Sequence, residues 1–267
     1  MTASPWIAPA ATLLAWWIST GALIWIAKRI EAWTAPARLA ATLAGAPVAL
    51  VGVWLFWTTR DSIAANDVYK AALAAILIWG WIEFSFMTGA ITGPHDREMP
   101  EGRPPWERFI RAWGAIAYHE MLLVAALVAL LLTGTDGVND FAFWTFAVLF
   151  FARVSAQLNL FMGVAHINVE FLTRPLAHLA SHFRRAPFNP VFPVSVTALT
   201  FALACWLERS VAYEDAGRTA GFAMLTALTA LALVEHWMMM SRIPDAKLWR
   251  WLLPAEDRRG GAKIEGD

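Results

Sequence analysis

Residues 141–164 read FAFWTFAVLFFARVSAQLNLFMGV, apolar throughout except for a short polar interval at Arg153, Ser155, Gln157 and Asn159. A hydrocarbon core about 30 Å thick is crossed by roughly 20 helical residues, so this stretch is long enough to span a bilayer. Six further stretches have the same character, at 6–27, 39–58, 71–92, 109–133, 191–211 and 219–241. The pattern predicts an all-α, polytopic integral membrane helix bundle of about seven transmembrane helices.

Basic residues are unevenly shared between the connections. One side carries Lys28, Arg29 and Arg38, then Arg97, Arg103, Arg108 and Arg111, then Arg174, Arg184 and Arg185, and finally Arg242, Lys247, Arg250, Arg258, Arg259 and Lys263. The other carries only Arg60, Lys70, Arg209 and Arg218. Lys and Arg are retained on the cytoplasmic side of short loops while acidic residues contribute little. The expected orientation is therefore an N-terminus in the periplasm and a C-terminus in the cytoplasm, within a bacterial inner membrane.

Hydrophobic residues make up 58% of the chain and charged residues 16%, well below the roughly 25% charged of soluble domains. Net charge is zero, and nothing in it marks a nucleic-acid partner; the bilayer is the first expected partner. The single Cys205 excludes an intramolecular disulfide and a cysteine-based metal site. No repeat divides the chain, so 1–267 is expected to be a single membrane domain, with cytoplasmic loops at 93–108 and 165–190 and a cytoplasmic tail at 242–267. Four prolines in 93–108 oppose a continuous helix, whereas LTRPLAHLASHFRR, residues 172–185, has the periodicity of an amphipathic helix lying on the membrane surface.

Ionisable side chains inside spans are costly and face the bundle interior. Here Glu83, His119, Glu120, Arg153, Glu235 and His236 fall at similar depths once alternate helix directions are considered. Ser155, Asn159, His166 and Glu170 follow each other at near-whole helical turns, with Arg153 and Gln157 on roughly the opposite face; two stripes imply two polar neighbours. Arg153 is expected to pair with Glu83, Glu120 or Glu235, with Glu120 preferred. The intramembrane polar cluster comprises Glu83, His119, Glu120, Arg153, Asn159, Glu170, Glu235 and His236. Its carboxylates and imidazoles are donors that a di-iron or zinc centre uses, but the Glu-x-x-His pairs of di-iron bundles are missing, so no metal site is assigned. His119 or His236 could serve as an axial ligand to bacteriochlorophyll magnesium or haem iron, or simply hydrogen-bond across helices. No nucleophile elbow, phosphate loop or dinucleotide fingerprint occurs, and no residue acquires a catalytic role.

WIEFSFMTGAITGP (81–94), RFIRAWGAIAYHE (108–120), FWTFAVLFFARVSAQLNLFMGVAHINVEFL (143–172) and LASHFRRAPFNPVFPVSVT (179–197) together resemble the PuhE family of photosynthetic-complex assembly proteins from anoxygenic phototrophic proteobacteria. Length and span number resemble it too. The matching positions include Glu83, Thr92-Gly93-Pro94, His119-Glu120, Arg153, Ser155, Asn159, Gly163 and Glu170-Phe171. Gln157 stands where the family pattern has Lys, and Ala165-His166 where it has a proline-containing pair, which counts against Gln157 and His166 as obligatory ligands. The resemblance implies an accessory role in assembling reaction-centre and light-harvesting complexes in the intracytoplasmic membrane, through bacteriochlorophyll supply. It implies bacteriochlorophyll or a precursor as the ligand, and reaction-centre or light-harvesting subunits and pigment-synthesis proteins as partners. Two other classes compete: a membrane metalloenzyme acting on a tetrapyrrole or isoprenoid, and an ion or proton transporter.

Overall fold

The computed structural model describes residues 6–134 and 136–241. It contains seven helices, each long and apolar enough to cross a membrane: α1 (Ile7–Ile30), α2 (Ala35–Thr59), α3 (Ala65–Met87), α4 (Pro105–Gly134), α5 (Phe141–Met162), α6 (Val191–Ala212) and α7 (Ala216–Met240). Two 3₁₀ segments, Val169–Phe171 and Arg174–His182, lie between α5 and α6. The expected tail at 242–267 lies outside the described residues.

α3 and α7 are the most enclosed helices, whereas α1, α2 and α6 are peripheral. α3 packs on α2, α5, α7 and α1, and α6 lies along α7. The core they enclose is built from small and aromatic side chains, including Ala71, Ala74, Ala75, Phe141, Phe146 and Leu225. Large apolar side chains point outward instead: Leu43, Leu50, Trp54, Leu132, Val194 and Phe201 are all exposed on the bundle surface. An apolar exterior of this extent suits lipid rather than water.

The third span is displaced from its expected bounds, running 65–87 instead of 71–92. Its start is held by Asp67, which accepts from Ser62 Oγ (2.6 Å) and pairs with Lys70 (3.1 Å). Its end is set by Gly89, whose φ of +76° breaks the helix and whose missing Cβ leaves room for Pro175, a combination that favours glycine. Residues 90–104 then form no helix, as the prolines required.

The 172–185 segment is not the expected α-helix. Leu176, Leu179 and His182 are its buried positions, and a spacing of three aligns them on one face only at the three residues per turn of a 3₁₀ helix. Leu176 and Leu179 pack against Phe86 of α3 and Ala115 of α4, so the segment lids the bundle at the end bearing the basic loops. The same end is tied together by Lys28 Nζ donating to the Leu172 carbonyl (2.9 Å), Thr173 Oγ1 to Met87 O (2.6 Å) and Arg38 Nε to Thr88 O (2.8 Å).

Candidate functional site

Five side chains from three helices meet where α3, α4 and α5 adjoin. Arg153 of α5 donates through Nη1 to Glu83 Oε2 at 2.7 Å, and its Nε lies 3.6 Å from Glu120 Oε1. Glu83 is thus the closer partner and Glu120 the second, reversing the expected preference; α3 is the helix packed most extensively against α5. Gln157, one turn beyond Arg153, donates to Glu120 Oε1 at 3.0 Å. His119 is fully buried, with Nε2 3.7 Å from Glu83 Oε1 and 4.0 Å from Glu120 Oε1. Phe86 touches both His119 and Arg153, its ring 4.4 Å from that of His119 and 5.2 Å from the Arg153 guanidinium. Glu83 Oε1, Arg153 Nε and both His119 ring nitrogens are buried without a hydrogen bond, leaving unmet polar capacity around a single guanidinium and two carboxylates.

The position of His119 depends on the loop before α4. The His119 backbone N–H donates to Thr92 O (3.0 Å), and His95 N–H donates to Gly114 O (3.2 Å). So close an approach of loop to helix needs glycine on both sides: a Cβ on Gly93 would overlap the Gly114 carbonyl, and one on Gly114 would overlap His95. Thr92-Gly93-Pro94 and His119-Glu120, far apart in the chain, therefore form one structural unit beside Glu83.

The second polar stripe of α5 faces α6 and α7. Ser155 Oγ meets His236 Nε2 at 2.9 Å, and His236 Nδ1 lies 2.7 Å from Ala232 O. A carbonyl can only accept, so Nδ1 carries the proton, and in the neutral ring Nε2 accepts from the Ser155 hydroxyl. Both nitrogens of His236 are thus engaged within the protein. Asn159 Nδ2 donates to Ser195 Oγ (2.9 Å) and to Ser155 O (2.9 Å), and its Oδ1 accepts from Asn189 Nδ2 (3.1 Å). Asn189 also donates to Gly163 O (2.6 Å), and its Oδ1 accepts from Val191 and Phe192 N–H, both at 2.9 Å, thereby capping α6. Asn189 and Ser195 were missing from the candidate cluster, although the Asn189-Pro190 dipeptide ahead of an apolar run is a helix-start signal.

His166 and Glu170 do not continue this stripe. α5 stops at Met162, where Gly163 takes φ +127°. His166 N–H donates instead to Met239 O (3.1 Å), and Glu170 sits in the first 3₁₀ segment. Glu235 is on the exposed side of α7 and forms part of the wall of a cleft of about 290 Å³, which Glu83, Arg153, Ser19 and Thr20 also line. A second cleft, about 370 Å³, opens between α4, α5 and the second 3₁₀ segment and has Glu120, Arg153 and Gln157 on its wall. Arg153 therefore faces both clefts. Among the described residues, no group of three or more His, Cys, Asp or Glu is placed to hold a metal ion.

An apolar-surfaced bundle of seven spanning helices around an interhelical ion cluster defines a multi-pass membrane protein. The chain belongs to the family described as "Protein of unknown function (DUF3623)", whose model matches residues 2–260. It is similar to a Rhodobacter capsulatus protein described as "Uncharacterized 30.4 kDa protein in puhA 5'region", with 44% identity over 252 residues that cover 94% of this chain and 92% of the relative. No solved structure matches it.

Proposed function

We propose that this protein is an accessory membrane protein supporting assembly of the bacterial photosynthetic apparatus, as the PuhE-like motifs imply. The observation that carries the reading is the R. capsulatus relative, whose description places it in the 5' region of puhA. The chain acts as a single membrane domain of the inner, intracytoplasmic membrane, with its N-terminus periplasmic and its basic loops cytoplasmic; the unequal distribution of Lys and Arg supports that orientation. Its role is exerted through contact with reaction-centre or light-harvesting subunits and pigment-synthesis proteins, and through bacteriochlorophyll or a precursor held in a membrane-facing cleft.

The cluster geometry narrows how a pigment is held. His236 has both ring nitrogens occupied, and His119 is enclosed by Phe86, Glu83 and Glu120. Neither ring stands open to a macrocycle, so the reading places pigment in a cleft, without a resident axial histidine. No observation favours the metalloenzyme alternative.

Deletion of the gene in a phototrophic host tests the proposal. Mature reaction-centre and light-harvesting absorbance, divided by total bacteriochlorophyll, should fall while pigment synthesis persists. Loss of all bacteriochlorophyll would instead indicate a biosynthetic enzyme, and an unchanged ratio would remove the assembly role.

A further inference from the structure

The α4–α5 cleft has features that the ion cluster alone does not require. It follows α4 from Phe109 to Glu120, about 16 Å at 1.5 Å per residue. Its walls are mostly apolar, with Trp113, Ile116, Phe161, Leu179 and Phe183 among them. Phe109, Trp113 and Leu158 also belong to the exposed outer surface, so the cleft opens sideways toward lipid. Its polar groups are gathered at opposite ends, with Glu120, Arg153 and Gln157 at the inner end and His182 at the end bearing the basic loops.

Positive charge at that outer end is incompletely paired. Glu107 is taken up by Arg111 (2.7 Å) and Arg103 (3.6 Å), and among the described residues neighbouring Arg108 has no ion pair. Arg108 lies over the Phe161 ring, 6.0 Å from its centroid; Phe161 in turn packs edge-on to Phe109 at 5.7 Å, and both rings line the cleft. Arg108 Nε and His178 Nε2 are buried without hydrogen-bond partners. His182 also borders a polar pocket outside the cleft, lined by Asp96, Arg97, Glu98 and Arg111. Arg108 is thus a cation without an ion pair, set directly over an aromatic wall of the cleft. A buried unpartnered guanidinium N–H is costly and strongly favours an oxyanion, and basic pockets between spanning helices on the cytoplasmic side commonly receive lipid headgroups. The inner end discriminates in the opposite sense, because two carboxylates already surround Arg153 and repel a further negative charge.

We propose that the α4–α5 cleft binds an amphipathic anion entering from the membrane, its apolar body between Phe109, Trp113, Phe161 and Leu179 and its carboxylate or phosphate at Arg108. The assignment is independent of any role in photosynthetic assembly. A bilayer phospholipid and a free carboxylic amphiphile share this chemistry.

Native mass spectrometry of the full chain, delipidated in detergent, separates these sources and tests the site. Phosphatidylglycerol is paired against diacylglycerol of identical acyl chains, and oleic acid against methyl oleate. One anionic adduct per chain is expected, favoured roughly tenfold over its neutral counterpart. A phosphatidylglycerol adduct without an oleate adduct identifies a phospholipid site, and the reverse identifies a free-acid site. Arg108→Gln should erase the preference for the anion, Arg108→Lys should retain it, and Ala112→Phe, which fills the cleft, should remove the adduct altogether. Equal binding of anionic and neutral partners, or an adduct that survives both Arg108→Gln and Ala112→Phe, would overturn the proposal.

Discussion

Replacing Arg153 with methionine removes, among the described residues, the only Arg or Lys within hydrogen-bonding or ion-pairing distance of Glu83 and Glu120. Methionine approximates the volume of the arginine stem, so the change tests charge more than packing. It leaves two carboxylates close together, largely shielded from water, with side chains 12% and 3% exposed. Breaking a buried pair from one side typically costs about 3–5 kcal/mol, because the surviving charge keeps its desolvation penalty. For a chain of this size each kcal/mol moves the melting midpoint by roughly 2–4 °C, so Arg153→Met should lower it by about 6–20 °C. Fluorescence-detected size exclusion after graded heating of solubilised protein measures this. The rescue pattern is more specific than the loss. Once Arg153 is absent, Glu120 still accepts from Gln157, whereas Glu83 loses its 2.7 Å donor. Glu83→Gln should therefore restore more stability to Arg153→Met than Glu120→Gln does, and the triple variant should recover most of the loss. The electrostatic account fails if Arg153→Met costs less than about 1 kcal/mol, or if neither double variant is more stable than Arg153→Met itself.

Gly93→Ala should reduce membrane accumulation sharply, by about 1–3 kcal/mol of overpacking or more, because the new Cβ meets the Gly114 carbonyl and not a mobile side chain; normal accumulation on immunoblots would show that the loop docks elsewhere. Stability should decline on acidification through His182. Burial is the largest cause and pushes its imidazole below the ordinary 6.5 against the opposing hydrogen bond to the His178 carbonyl, with smaller electrostatic contributions from His178, Arg108 and His95 in the same direction as burial. The unfolded chain then binds more protons, so stability rises with pH across the window just below 6.5 and is lost as pH falls through the depressed value; His182→Gln should flatten the melting profile between pH 7.5 and 5.5. For orientation, alkaline phosphatase should be active when fused after Asp136 and inactive after Arg185, with the opposite pattern reversing the assigned sides.

The seven helices were legible because a spanning segment declares itself by length and composition, a one-dimensional property. The two faces of α5 were legible for a similar reason. Arg153 and Gln157 do meet Glu83 and Glu120, while Ser155 and Asn159 do meet His236 and Ser195. The choice between Glu83 and Glu120 was not, since it depends on which helices lie side by side, and helical periodicity says only which residues share a face. Continuing the Ser155–Asn159 stripe to His166 and Glu170 failed because a periodic pattern does not by itself end a helix. Gly163 was the sign that α5 ends there.

The least legible part of the site is also the one that explains its location. Periodicity assigns His119 to α4 but gives no hint that Thr92 O takes its backbone N–H. That contact requires two glycines facing each other across a loop and a helix, at Gly93 and Gly114, and glycine's value there lies in the side chain it lacks, which no hydrophobicity pattern registers. Once the contact is recognised, the placement of the cluster follows. Glu83 lies one turn before the end of α3, the loop folds back from there onto α4 beside His119, and the 3₁₀ segment closes over Phe86 and Ala115. The ion cluster consequently sits beneath a backbone lid, near the basic end of the bundle, and opens sideways into two clefts. Its charges are shielded from water on one side by that lid, yet remain within reach of groups entering laterally from the bilayer, an arrangement suited to receiving membrane-borne ligands.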